Sequence, residues 1–378
     1  MGACVLDSSD RNKLGGNGMA GKESKNENST VENRTNENST VENRTKGEKV
    51  ANNKRADKKK FRLNAHLILL FIIILFIGLT VYKFFNFGNR ITKEDIDKIP
   101  TPEDAEIQSY DYFIPNLIED DGTFPEDDGE TTVVCFGNAP FADDRNSDKN
   151  VCNLFAKNSG ATVYNCSIPG SYMAAQNNPY DNSNAMDAFS FSYLADYFAA
   201  GNKDMVEQAY STMGTVPADI KSAMNELDKI DFTKVDVIYV MYDASDYLDG
   251  SMVYHDEILD EPRYFTGSLT GGIAKIREAY PWIRIIVMSP TYAFAIDENG
   301  EYVSSDKQKN VWNVSLSLYF MKQFETAYRE QVTFVDNFYG CIHEDIAKDY
   351  LTDNLHLNPA GREKVAQKML DALDWKSN

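Results

Sequence analysis

The run VDVIYVMY at residues 235–242 constrains this chain more than any other stretch. Its apolar residues follow neither the 3.6 period of a surface helix nor the alternation of a half-exposed strand. A nearly continuous row of apolar side chains suits a strand covered on both faces, the environment of a parallel sheet. Parallel neighbours need a crossover of about a dozen residues or more, usually a helix. From residue 131 onward the chain supplies strands and crossovers in alternation.

Residues 133–136 read as a short buried strand followed by a Gly-Asn-Ala-Pro turn. A short helix at 151–157 ends at Ser159-Gly160, and a second strand follows at 162–167. Helices are expected at 185–200 and at 218–230, the latter with Ile220, Met224, Leu227 and Ile230 on one side. Beyond the run at 235–242, a helix carrying Leu269, Ile273 and Ile276 leads to a strand at 283–288. A long helix at 311–330 leads to a strand at 332–335, and a closing helix carries Val365, Met369, Leu370 and Leu373. This pattern predicts a three-layer α/β/α sandwich around a central parallel sheet. Ligands of such sheets bind at the carboxyl ends of the strands, where the Gly137, Gly170, Asp243 and Ser289 turns would gather.

Charge divides the chain. Residues 1–62 carry 14 Lys/Arg against 9 Asp/Glu, whereas beyond residue 90 there are 22 against 49. So acidic a body excludes nucleic acid as a partner, because phosphate binding needs a basic surface. Residues 1–62 contain NENSTVENRT twice in succession, at 26–35 and 36–45, with too little apolar content for a core. They read as a disordered basic tail. Its Asn-x-Ser/Thr sites at Asn28, Asn33, Asn38 and Asn43 matter only on a translocated segment.

Residues 63–82 (LNAHLILLFIIILFIGLTVY) are uncharged and long enough for a bilayer core of about 30 Å. Lys54, Arg55, Lys58, Lys59, Lys60 and Arg62 crowd the preceding flank, with only Lys83 and Arg90 following. The positive-inside rule then places the tail in the cytoplasm and the C-terminal part outside, on a single-pass anchor in the cell membrane. A cleaved signal peptide is disfavoured by the length of the run and the lack of a small-x-small site after it. Residues 83–130, rich in Asp, Glu and Pro, read as an acidic spacer able to pack partly on the domain at 131–378.

Cys135, Cys152, Cys166 and Cys341 follow the apolar run and have no metal-ligand spacing, so no zinc site is expected. Two of them fall in strands of the core, which favours buried thiols over two disulfides. With four histidines in all, a His-rich metal centre is excluded, and no cofactor is implied. Asp143, Asp144, Asp243 and Asp246 have the chemistry to hold Mg²⁺ or Ca²⁺, although loop aspartates in so acidic a chain are ordinarily solvated.

The candidate site is Thr352-Asp353-Asn354-Leu355-His356-Leu357-Asn358-Pro359-Ala360-Gly361. An Asp three residues before a His allows one loop to present both side chains together. The carboxylate can fix the imidazole tautomer and leave the other ring nitrogen as a base. Asn358-Pro359 has the form of a helix start, with Asn as cap and Pro at the first position.

Asp-x-x-His-x-Asn-x-x-Gly ahead of a final helix resembles the last block of the SGNH/GDSL hydrolases, and residues 131–375 resemble that family in element order. The family's other blocks are a Gly-Asp-Ser turn after the first strand, a Gly after the second, and a Gly-x-Asn-Asp turn after the third. Here the first reads Gly137-Asn138-Ala139, so Ala139 stands at the nucleophile's position and cannot attack a carbonyl. The second is intact at Gly170. The third reads Asp243-Ala244-Ser245-Asp246, with Ser245 for the Asn and Asp243 for the Gly.

The resemblance implies Asp353 and His356 as the catalytic pair, with Gly170, Ser245 and Asn138 as oxyanion or substrate contacts. It also implies an esterase or deacylase acting on a small acyl ester or a cell-envelope carbohydrate. Three readings fit. The domain hydrolyses esters through a displaced hydroxyl, Ser167 or Ser171, or through a water activated by His356. It is a silent binding module or scaffold. Or Ala139 replaces a working Ser by engineering, which leaves the separate departure at Ser245 unexplained.

Overall fold

The described residues hold seven strands: β1 (Thr132–Gly137), β2 (Thr162–Asn165), β3 (Val237–Met241), β4 (Arg284–Met288), β5 (Phe294–Ile296), β6 (Tyr302–Ser304) and β7 (Thr333–Val335). All but β5 and β6 form one parallel sheet in the order β2-β1-β3-β4-β7. In the three central strands burial is nearly complete, as their unbroken apolar runs demand. This is a computed structural model, and it describes residues 108–115, 124–126 and 128–375. The tail, its repeats and the apolar run at 63–82 lie outside the described residues. Among those described, no helix is long and apolar enough to cross a membrane.

The helices are α1 (Ala139–Ala142), α2 (Val151–Ser159), α3 (Phe191–Phe198), α4 (Asp204–Met213), α5 (Ala218–Leu227), α6 (Ser245–Leu248), α7 (Phe265–Ala279), α8 (Leu316–Arg329), α9 (Glu344–Tyr350) and α10 (Pro359–Asp374). Side chains of a strand alternate between faces, and the register shows which helices each face meets. Cys135 and Tyr239 pair across β1 and β3 and point one way. Tyr239 packs edge-on to Phe155 of α2, and its hydroxyl donates to Met369 O of α10 at 2.7 Å. Phe136, one residue on, points the other way onto Phe191 and Phe198 of α3, while Phe334 of β7 meets Phe320 and Phe324 of α8 on that same side. The sandwich is therefore three layers, α2 and α10 against α3, α7 and α8.

Two glycines set the closest approaches. A Cβ on Gly137 at the end of β1 would lie 1.8 Å from Met241 O, so the turn toward Ala139 requires glycine. A Cβ on Gly272 would lie 2.4 Å from the Phe191 ring, which is how α3 settles onto α7.

Several boundaries differ from the expected ones, each for a local reason. The helix expected at 185–200 is a 3-10 segment, Asn182–Phe189, broken from α3 by extended Ser190. The buried Asp187 in that segment accepts the amides of Gln176 and Asn177 at 2.8 and 2.9 Å, holding the preceding loop. The helix expected from 311 starts at Leu316, because Asn310 gathers the amides of Trp312 and Val314 into a turn and leaves Val311 81% exposed. Part of the stretch read as spacer lies on the sheet edge. Tyr112 exchanges backbone hydrogen bonds of 2.9 and 2.7 Å with Phe334, Asp111 pairs with Lys368 of α10 at 2.6 Å, and Phe113 stacks on Trp375. An antiparallel strap thus closes the exposed edge of β7.

Candidate active site

The sheet order places the site. The chain steps from β1 outward to β2, then returns to the other side of β1 as β3, so the strand order reverses between β1 and β3. Crevices at such reversals, at the carboxyl ends of the strands, are where ligands bind in open α/β sheets. The turns after β1 and β3 meet there.

Asn138 joins them. Its Nδ2 donates to Ser171 O at 3.0 Å and to Asp243 Oδ1 at 2.8 Å, and its Oδ1 accepts the Asp243 amide at 2.9 Å. Asp243 Oδ1 also accepts the amide of Ser245 at 2.9 Å. One buried side chain therefore ties together the turns after β1, β2 and β3. Its amide protons are both engaged, so in this arrangement Asn138 is a clasp and not the substrate contact expected of it. Asn138 and Asp243 are the two positions where the family resemblance would place Asp and Gly. An Asp at both would bring two carboxylates together, whereas Asn with Asp makes complementary hydrogen bonds. The departures compensate each other.

Asp246, fully buried, accepts the amides of Met173 and Ala174 at 2.9 and 3.1 Å and so holds the loop beyond β2. Burial pushes its pKa up to about 7, against the pull of those amides. Gly170 sits at φ +74 on the exposed rim, with nothing within 4 Å of where a Cβ would stand. Ser171 Oγ donates to Ile168 O at 2.8 Å, and Ser167 Oγ bonds to Asn165 Oδ1 while the Arg145 guanidinium reaches Asn165 O and Ser167 O. Both hydroxyls are buried and committed to their own turn, as is Ser289, which accepts the amides of Asn337 and Phe338. Neither Ser167 nor Ser171 is presented as a displaced nucleophile.

The last block supplies the dyad. Asp353 Oδ2 meets His356 Nδ1 at 2.7 Å, and Asp353 Oδ1 accepts the amides of Leu355 and His356, both at 2.8 Å. Burial alone would raise the Asp353 pKa, but those two amides and then the imidazole bring it below the ordinary carboxylate value. The loop is tethered by Asn354 to Phe294 of β5 and by a bridge between Leu351 and Leu357. As its sequence required, Asn358 caps α10, accepting the Gly361 amide at 3.0 Å, and Pro359 follows.

His356 faces the first turn. Burial draws its pKa down, but the hydrogen bond and charge of Asp353, followed by the charges of Asp143 and Asp243, more than reverse this and leave it raised. Asp143 follows α1 directly, and Asp243 is the partner of Asn138, so carboxylates of the turns after β1 and β3 both act on the imidazole through space. The Asp143 pKa is itself raised, by burial first, with His356 and Arg362 opposing. Two ion pairs span the same gap. Arg362 of α10, 7% exposed, meets Asp144 at 2.5 Å, and Lys149 meets Glu363 at 2.8 Å. The turn after β1 and the loop before α10, more than two hundred positions apart, thus face each other. The His356 side chain keeps 44% exposure, enough for its Nε2 edge to be reached from solvent.

Ala139 is 7% exposed and brings only a methyl to this crevice. The site holds a base and an acid partner that orients it, and Ala139 supplies no hydroxyl. Asp143 and Arg362 are the residues sequence reasoning did not assign to it; an Asp-Asp pair four residues past the turn was the available signal. The four aspartates weighed as cation ligands do not converge: Asp144 pairs with Arg362, Asp243 with Asn138, and Asp246 with backbone amides. Among the described residues no group of three or more acidic, His or Cys side chains is arranged to hold a metal. Cys135, Cys152, Cys166 and Cys341 are buried free thiols; burial pushes Cys135 and Cys166 well up and Cys341 to about 11, which leaves them unreactive.

No family model matches the chain, and no curated protein matches it. Solved structures similar to it include a protein from Lactobacillus plantarum, 16% identical, covering 65% of this chain and 97% of that one with a TM-score of 0.45. A lipase/acylhydrolase from Enterococcus faecalis is 14% identical over 64% of this chain and 95% of that one, at a TM-score of 0.38. Est24, a carbohydrate acetylesterase from Sinorhizobium meliloti, is 12% identical over 65% and 98%, also at 0.38. At such identities the likeness assigns neither a substrate nor a mechanism to this chain.

Proposed function

We propose that residues 131–375 form a hydrolase-type SGNH domain that cleaves a small acyl ester, such as an acetyl group on cell-envelope carbohydrate, without an acyl-enzyme. The observation that carries this reading is the Asp353–His356 contact of 2.7 Å: an oriented base is kept in a chain whose nucleophile position is Ala139. In this scheme His356 Nε2 takes a proton from a water, whose oxygen attacks the ester carbonyl carbon. The resulting oxyanion is met by the Gly170 amide and the Ser245 hydroxyl. Collapse breaks the acyl–oxygen bond, and the leaving alkoxide takes the proton back from His356. Asp353 stays ionised throughout, holding the ring.

A second reading, a non-catalytic binding or scaffolding module, is favoured by Ala139 and by the engagement of Asn138. Hydrolysis of p-nitrophenyl acetate by wild type, Ala139→Ser and His356→Ala separates the two. Slow wild-type turnover that disappears in His356→Ala supports water activation. Inactive wild type with activity gained in Ala139→Ser identifies a disabled esterase. Inactivity of all three variants removes the esterase reading.

The location we propose is the outer face of the cell membrane, with residues 1–62 cytoplasmic and one helix at 63–82 as anchor. Its support is the uncharged run and the six basic residues before it. Protease added to intact cells is expected to release the domain; a domain protected until lysis would overturn this topology.

A further inference from the structure

At the opposite edge of the sheet, by the amino ends of β4 and β7, lies a cavity of about 440 Å³. Its size falls within the range of small-molecule sites. Pro115 of the edge strap, Pro281, Ile283 and Val332 form apolar walls, and Arg277, Trp282 and Arg284 bring nitrogen donors to it.

These donors are incompletely paired among the described residues. Arg284 opens β4; its Nη2 reaches Thr333 Oγ1 at 3.4 Å, and its Nε is buried with no partner. Trp282 Nε1 is likewise buried and unpartnered. Arg277, in the last turn of α7, makes a single bond of 2.8 Å to Gln331 O. No carboxylate among the described residues pairs with either arginine. Glu330 is near enough to act on Arg277 through space, but its side chain is taken by Arg329 at 3.0 Å. Burial disfavours the charge on both guanidinium groups. In a body with more than twice as many acids as bases, two half-buried arginines with no acid partner are unusual. An anion entering this cavity would meet two guanidinium groups that no carboxylate among the described residues neutralises.

We propose that this cavity is a binding site for a small organic carboxylate with an apolar body. The guanidinium groups of Arg284 and Arg277 would take the carboxylate, while the proline and aliphatic walls would take the body. An inorganic anion would use the same donors and leave those walls unfilled. The site is separate from the dyad, and nothing in it depends on the esterase reading.

The test is calorimetric titration of the full-length protein in lipid nanodiscs with benzoate, benzamide and inorganic phosphate, with empty nanodiscs as the blank. Benzoate is expected to bind at least about tenfold more tightly than either of the others, a discrimination of about 1.4 kcal/mol. Arg284→Gln is expected to weaken benzoate about tenfold or more, and Arg277→Gln to weaken it by a smaller factor. Should Arg284→Gln fail to fold by circular dichroism, Arg277→Gln decides. Equal binding of benzoate and benzamide, or benzoate binding unchanged in the variants that fold, would overturn the site. Phosphate binding as tightly as benzoate would overturn the organic-anion class.

Discussion

At the carboxyl edge of the sheet, Asn138, Asp243, Asp246 and Asp353 each hold two or more named hydrogen bonds; at the amino edge, Arg284 Nε and Trp282 Nε1 hold none. The carboxylates of the first edge are paired within the chain, although Tyr242 Oη and Asn337 Oδ1 beside them are buried without partners, so what it accepts must come to the imidazole. The second is basic and incomplete, and its unsatisfied groups call for an acceptor from outside. A crevice at the end of a parallel sheet is thus not a site by shape alone. What decides is which polar atoms the chain has left over.

The sharpest break in this comparison comes at the dyad. His356→Ala is expected to remove ester hydrolysis by about a hundredfold or more, while Arg284→Gln leaves the rate unchanged; equal losses would mean the two edges are one functional unit. Next comes stability. Asn138→Ala strips partners from Asp243 and Ser171 in a buried site and should cost about 1–3 kcal/mol in denaturant unfolding. Trp282→Phe removes a donor that has no partner, and is expected to cost less than about 0.5 kcal/mol. If Trp282→Phe proved as damaging as Asn138→Ala, the claim that its N–H is unpaired would fail.

Stability should also fall as pH rises from about 5 to 8. The Asp246 pKa is higher in the folded chain, about 7, than in an unfolded one, so the native state holds the extra proton in this window and stability is lost as that proton leaves. His356, also raised, acts in the same sense: its contribution is complete below its unfolded pKa and is lost as pH climbs through the folded one. Asp353, lowered, loses its contribution only in more acidic solution. Melting temperatures at pH 5 and 8 check the direction; a higher value at pH 8 would reverse it. The smallest effect belongs to Asp143→Asn. Removing that charge should move the rising limb of the pH–rate profile toward acid, because His356 loses one of the carboxylates that raise it.

How much of this the sequence could disclose depended on distance along the chain. The nearly continuous apolar run at 235–242 and the Asn358-Pro359 start both act locally, and both led to the right elements. The three-layer parallel arrangement followed from alternation alone. The hairpin of β5 and β6 was missed because three-residue strands carry almost no periodic signal, although Asp297-Glu298-Asn299-Gly300 between them is a turn sequence. The strap at Tyr112 has its partner 222 positions away, at Phe334, with no local mark. The same holds for Asn138 with Asp243 and for Asp144 with Arg362: each half reads as an ordinary polar turn residue until the fold pairs them. The amino-edge cavity was beyond any sequence argument, since an unpaired donor can be recognised only once every neighbour is known.

The Asn138–Asp243 clasp also bears on how this turn can be altered. Ala139→Ser alone would return a hydroxyl, but Asn138→Asp would set a carboxylate against Asp243 at a spacing now 2.8 Å. Asp243→Gly made first would instead strand the Asn138 amide in the interior. Either of these two changes made alone is therefore expected to cost stability. Serine at 139 leaves the clasp in place, so Asn138 and Asp243 form a unit that substitution must treat together.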